Sequence, residues 1–297
     1  MSIFVQVVLP VLMIFFIGYL LQRWKRLEIR SVSTIALYIM TPALVFRTFY
    51  TGELNVQYIN MVFFAILLLV SIIVVNKLYS KINNYPQSVE SGLILSTAFM
   101  NSGNYGAPIV LFAYGNDGFA YAVSFMVLQS IIMNFFGVYY AAKGSAGIKL
   151  AIESVLKMPA TYAVLLALVM NVGNVPIPNN IFAAIDLIAE ATIPTVMLVL
   201  GLQLAEIPLK KIQLGKVTYG TIVRLLISPL IAFVILLFFE LDPLLEKVLI
   251  VSAAMPSAAT TTMYAVQFDS EAELVSSITL ITTLISMLTI TILLSVL

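Results

Sequence analysis

Cysteine and histidine are both missing from the 297 residues of this chain. Their absence excludes disulfides, thiol nucleophiles, serine–histidine triads, zinc and haem ligation through these side chains, and a histidine pH sensor. Charge is scarce as well. Asp, Glu, Lys and Arg make up 10% of the chain and the net charge is +1, so neither a nucleic-acid partner nor a polybasic membrane switch is expected. The carboxylates that fall within apolar segments have no partner in sequence, which argues against an intramembrane enzyme; no metal and no cofactor are expected. The single tryptophan, Trp24, stands beside Arg23, Lys25 and Arg26, where it reads as an anchor at a membrane interface.

What the chain has in abundance is apolar surface: 61% of its residues are hydrophobic and the mean hydropathy is +1.07. That composition belongs to a polytopic membrane protein of the all-α class. A β-barrel would need alternating segments of about ten residues, and the apolar runs here are roughly twice that length. Ten transmembrane helices are expected, over approximately 3–22, 32–51, 57–76, 89–114, 118–142, 152–172, 179–205, 216–239, 245–267 and 272–296. The first is not read as a cleaved signal peptide, because no basic region precedes it and three basic residues follow it.

Basic residues set the expected orientation. Twelve of the 15 follow odd-numbered spans: Arg23, Lys25, Arg26, Arg30, Lys77, Lys81, Lys143, Lys149, Lys157, Lys210, Lys211 and Lys216. The positive-inside rule then puts those loops in the cytoplasm and both termini outside a multi-pass protein of the cytoplasmic membrane. Prolines suggest an internal repeat. Pro10, Pro42 and Pro108 are matched by Pro159, Pro194 and Pro256 at offsets of 149, 152 and 148 residues. Two halves of five spans, residues 1–145 and 146–297, must enter the membrane with opposite polarity. Such a 5+5 inverted repeat is typical of secondary transporters, whose binding sites lie mid-membrane on discontinuous helices.

The spans expected to be broken are the fourth and the ninth. In the fourth, Asn101–Pro108 reads N-S-G-N-Y-G-A-P inside an apolar run. Gly103, Gly106 and Pro108 disfavour a continuous helix, and freed backbone in a bilayer must be buried in protein or face a wet cavity. Asn101, Ser102 and Asn104 supply polar groups for such a cavity. A plain kink packed against its neighbours is the alternative. In the ninth, Ser252, Pro256, Ser257, Thr260, Thr261 and Thr262 interrupt the run in the same way, although Ser and Thr also serve packing between membrane helices. Half-helices starting near Ala107 and Ser257 would direct two positive dipole ends at one pocket and favour an anion, typically a carboxylate.

Other polar residues are candidates for coupling or for a cavity wall. Asp186 and Glu190 are four apart on the seventh span and share a helix face, with proton or cation coupling set against a solvated vestibule or a subunit interface. Gln129 and Asn134 on the fifth span, and Thr279, Thr282 and Thr283 on the tenth, either line a cavity or bond neighbouring helices. Arg224 on the eighth is expected to snorkel toward the inner headgroups.

The motif at 101–108 resembles the N-x-G-x-x-G-x-P pattern of the auxin efflux carrier family. T-P-A-L-V-F at 41–46, I-P-T-V-M-L-V-L-G at 193–201 and A-M-P-S-A-A at 254–259 fall where that family has similar segments. The resemblance covers nearly the whole chain. It implies a fold related to the bile acid:sodium symporters, with spans 1, 2, 6 and 7 as scaffold and homodimer interface. Spans 3–5 and 8–10 would form a mobile transport domain, and movement would be elevator-like. By that resemblance Asn101, Asn104, Pro108 and Pro256 carry over as binding residues, and with Ser102, Gly106, Ser252, Ser257, Thr260 and Thr261 of the two breaks they make up the expected site. One departure stands out: many relatives have asparagine where this chain has Thr260. The function so implied is secondary transport of a small organic anion, a mono- or dicarboxylate. The alternative is a cation- or proton-coupled carrier working through Asp186 and Glu190.

Overall fold

Nearly every residue of this chain that lies between loops is helical, as an apolar backbone in a bilayer requires, since helices satisfy their own amides and carbonyls. The computed structural model describes residues 3–52, 56–142, 145–207 and 213–297. Lys143, Lys210 and Lys211, which enter the charge count above, lie outside the described residues. Twelve helical segments follow one another among the described residues: α1 Phe4–Lys25, α2 Ile29–Thr51, α3 Gln57–Ile82, α4 Gln87–Ala98, α5 Ser102–Ala142, α6 Ser145–Leu156, α7 Pro159–Val172, α8 Asn179–Glu206, α9 Leu214–Leu236, α10 Pro243–Ala253, α11 Ala259–Gln267 and α12 Ala272–Val296. Among the described residues there is no strand of a sheet. Seven of these helices (α1, α2, α3, α5, α8, α9 and α12) are long and apolar enough to cross a membrane; the α6–α7 pair, bent by 53°, would make an eighth crossing.

Sequence explains where the segments stop. The first ends at Arg26, which adopts a left-handed conformation just after the basic turn Arg23–Lys25; cations suit the negative end of a helix. Trp24 is exposed there, with the Lys25 ammonium 4.2 Å from its ring centre, as an interface anchor should be. The longest helix, α5, has 41 residues, which at 1.5 Å each would be about twice the thickness of a bilayer. It is divided at Gly115, whose φ of 67° and ψ of −160° are essentially confined to glycine.

Packing falls into two sets. Helices α1, α2, α7 and α8 pack on one another, chiefly as α1 on α8 and α2 on both α7 and α8. The α1–α8 seam runs through Gly18 and Gly201, so close that a Cβ on Gly201 would lie 2.1 Å from the Phe15 carbonyl oxygen. Thr192 of α8 donates to the Met40 carbonyl of α2 at 3.0 Å. The remaining helices surround α4, α10 and α11, with α3 and α9 on one side and α12 on another. Outward faces of α3 and α9 carry exposed Phe63, Leu67, Leu226 and Leu230, the surface a lipid would meet.

Candidate functional site

Between α4 and α5 the chain is extended through Phe99 and leaves the helical region at Asn101. Between α10 and α11 it is interrupted by Ala254–Ala258. These two interruptions meet. The Asn101 amide donates to the Pro256 carbonyl at 2.8 Å, and the Ala258 amide donates to the Phe99 carbonyl at 3.0 Å. Met100 and Ser257 thereby form an antiparallel bridge. Each break supplies what the other lacks, since an extended residue inside a membrane has amides and carbonyls that its own helix no longer satisfies.

The helix after the first break starts earlier than the proline pattern suggests. It begins at Ser102 rather than near Ala107, with Asn101 as its cap: Oδ1 accepts from the Asn104 amide at 3.2 Å. Its first turn is widened, with Gly106 N–H donating to the Asn101 carbonyl at 2.9 Å and Ala107 N–H to the Ser102 carbonyl. Pro108, which has no amide to give, follows that wide turn without leaving the helix. Gly106 is needed for contact: a Cβ there would lie 3.1 Å from Cγ of Met255 in the opposite break.

Side chains gather at this crossing. Asn101 and Ser102 are buried, and Asn104 is half-buried. The Nδ2 of Asn101 is buried and makes no hydrogen bond, although Oδ1 of the same amide is engaged. Across from it, Ser257 is fully buried; its amide donates to Thr282 Oγ1 at 3.2 Å, and its hydroxyl accepts from Thr279 Oγ1 at 3.1 Å. Thr262 Oγ1 also reaches Thr279 Oγ1. Thr261 turns back to the Ala258 carbonyl at 2.7 Å, Thr260 is half-buried at the start of α11, and Ser252 is buried in the last turn of α10.

The other candidates make contacts of their own. Thr283 bonds the Thr279 carbonyl of its own helix at 2.7 Å. Asn134 donates to the Ser130 carbonyl and accepts from the Tyr264 hydroxyl at 2.9 Å, so it ties α5 to α11. Gln129 is buried on α5. Asp186 and Glu190 line a cavity of about 750 Å³ between α2, α5 and α8, together with Arg47, Asn116 and Phe119. Arg47 Nη1 pairs with Asp186 Oδ1 at 2.7 Å, a contact both side chains make while partly exposed. Lining reaches inward to Leu111 and Met197 and includes no residue of 99–106 or 252–261.

Arg224 corrects one expectation. It does not snorkel; it is fully buried on α9. Its guanidinium donates to the Thr97 carbonyl at the end of α4 and to the Ala253 carbonyl at the end of α10. Asn76, fully buried on α3, donates to Thr97 Oγ1 at 2.8 Å beside it. The available signal was Ser228, four residues on and thus on the same helix face, which accepts from the guanidinium and donates to the Ala253 carbonyl at 2.9 Å.

The sequence model of the family described as membrane transport protein matches residues 3–294. An uncharacterized transporter of Methanocaldococcus jannaschii is 26% identical over 96% of this chain and 96% of its own length. An uncharacterized transporter of Methanothermobacter thermautotrophicus is 25% identical over 95% of this chain and 94% of its own. With apolar helices throughout and a family match from end to end, the chain is a multi-pass membrane transporter rather than an enzyme, and it belongs to the membrane transport protein family, that of the auxin efflux carriers.

Proposed function

We propose that this protein is a secondary transporter that moves a small organic anion, a mono- or dicarboxylate, across the cytoplasmic membrane by alternating access, with the crossing of the two broken helices as its binding site. The observation that carries the reading is the Asn101 amide. Its Oδ1 is held by the Asn104 amide, which leaves Nδ2 as a buried donor without an acceptor, at the positive end of α5. A buried donor left unpaired costs about 1–3 kcal/mol, and a ligand carboxylate would supply what it lacks. Asn101, Ser102, Asn104, Gly106 and Pro108 on one side, with Ser252, Pro256, Ser257, Thr260 and Thr261 on the other, form the proposed site.

In this reading α4 with the first arm of α5 is the fourth span, and α10 with α11 is the ninth. The second arm of α5 is the fifth and the bent α6–α7 pair the sixth, giving ten spans in two inverted halves, 1–145 and 146–297. The mutual packing of α1, α2, α7 and α8 supports their role as scaffold. The other helices would move as an elevator, and a homodimer would form on the scaffold. Thr51, Gly52, Asn116, Phe182, Asp186 and Glu190 all border the 750 Å³ cavity; with the basic loops inside and both termini outside, that cavity is an outward vestibule.

The deciding experiment is thermal melting of the purified protein against a panel of small carboxylates, followed by counterflow of any stabilising anion in proteoliposomes. Stabilisation and counterflow by a carboxylate are expected. If no anion stabilises the protein, the reading fails; stabilisation without counterflow would make it a receptor. A second reading rests on Asp186 and Glu190 sharing the vestibule, which would allow cation or proton coupling. Asp186→Asn combined with Glu190→Gln would then abolish transport, while Asn101→Ala would leave it intact.

A further inference from the structure

Arg224 is the buried cation closest to the crossing, and among the described residues no carboxylate lies within 4.0 Å of its guanidinium. Its partners are of another kind. Nη1 donates to the Thr97 carbonyl at 2.6 Å, in the last turn of α4. Nη2 donates to the carbonyl of Ala253, the last residue of α10, and to Ser228 Oγ. These carbonyls stand at the C-terminal ends of the two half-helices that run into the crossing.

The charges match. A helix C-terminus carries roughly half a negative charge, so two of them amount to about one, and a single guanidinium balances both. Its fork also suits two acceptors on different helices, which a point charge would not hold in a fixed geometry. In transporters built on broken helices, half-helix C-terminal ends and unwound carbonyls are the groups that coordinate a coupling cation. Here they are already taken. We propose that Arg224 is a resident counter-cation: a positioning residue that holds the two C-terminal ends together and fills, with a tethered charge, the place a mobile sodium ion would take.

Two consequences follow. The intact protein has no need of dissolved sodium to assemble its crossing. Removal of the guanidinium leaves a set of oxygens, the carbonyls of Thr97 and Ala253 and the hydroxyl of Ser228, joined through Thr97 to Asn76, whose Oδ1 makes no hydrogen bond. Oxygens in such an arrangement suit a hard cation or a free guanidinium. The inference rests on the crossing being the functional element, as proposed above, but its first readout is stability without substrate, so the two readings fail separately.

Wild type, Arg224→Lys and Arg224→Ala are purified and melted in choline, sodium and low concentrations of guanidinium chloride at matched ionic strength. Neither wild type nor Arg224→Lys should melt differently in sodium than in choline, with the lysine variant the lower of the two because it lacks the fork. Arg224→Ala should melt lower in choline and regain roughly 3 °C or more when guanidinium or sodium is supplied. The proposal is overturned if wild type needs sodium, if Arg224→Ala melts like wild type, or if no cation restores it. Should Arg224→Ala not accumulate, Arg224→Lys and Arg224→Met are compared in membranes. Accumulation of the lysine variant alone supports the proposal, and equal behaviour of the two overturns it.

Discussion

Asn101 performs two tasks with two atoms, and they can be separated. Its Oδ1 caps α5 through the Asn104 amide at 3.2 Å, while Nδ2 is buried without a partner. Serine caps a helix about as well as asparagine but lacks the amide's reach, so Asn101→Ser retains the first task and loses the second. Asn101→Ala loses both. A lost cap costs about 1 kcal/mol. An unpaired buried donor costs about 1–3 kcal/mol, so its removal offsets the small void that serine leaves. Without ligand, therefore, Asn101→Ser is expected to melt at or above the wild-type temperature, and Asn101→Ala below Asn101→Ser. Binding should tell the opposite story. A hydrogen bond to a charged acceptor is worth about 1.5–3 kcal/mol, and at about 1.4 kcal/mol per decade both variants should bind the carboxylate roughly 10- to 150-fold more weakly. Ligand-dependent melting shifts over a concentration series measure both quantities on one sample. If Asn101→Ser binds the anion as wild type does, or melts as low as Asn101→Ala, the amide is a packing feature of a kink and the site assignment is wrong.

Three further outcomes are expected. Gly201→Leu should lower stability by about 1–3 kcal/mol or more, because its Cβ would lie 2.1 Å from the Phe15 carbonyl oxygen and force α1 from α8; a melt of the purified variant within 1 °C of wild type would count against that seam. Tyr264→Phe, which deletes the hydrogen bond to Asn134, should cost only about 0.6 kcal/mol, the usual value between membrane helices, and leave binding unchanged. Because the Arg47–Asp186 pair is partly exposed, breaking it should cost at most about 1 kcal/mol. Its effect should appear instead in initial anion uptake at low salt, raised by Asp186→Asn and lowered by Arg47→Gln; equal rates would argue that the vestibule does not steer the substrate.

Composition made the class legible, because only helices satisfy an apolar backbone in lipid. The two interruptions were legible too, from glycine, proline and small polar residues in apolar runs. Their exact form was not. Pro108 reads as a break, yet the chain departs from helix at Phe99–Asn101 and then absorbs the proline after a widened turn. A missing amide can be accommodated by one longer hydrogen-bond ring, and sequence does not say which solution the neighbours permit. Arg224 shows the limit most plainly. On its own helix it looks like any basic residue near a membrane face; its burial depends on two carbonyls contributed by α4 and α10, 127 and 29 residues away. The pairing of Ser257 with Thr279 and Thr282 was hidden for the same reason, although all three residues stood out as polar on apolar spans.

The shortness of the half-helices bears on how the protein is made. With 12, 11 and 9 residues, α4, α10 and α11 reach about 18, 16 and 14 Å, against about 30 Å of hydrocarbon. None can remain in the bilayer alone as a stable span. The carbonyls of Phe99 and Pro256 that join the breaks are separated by more than half the chain, so the first break waits, during synthesis, for a partner that emerges late. Until α10 and α11 arrive, α4 and the start of α5 must be sheltered by the insertion machinery or by water. Chains truncated before residue 243 should therefore be handed to quality control even though six of the seven helices long enough to cross a membrane, all but α12, are already present.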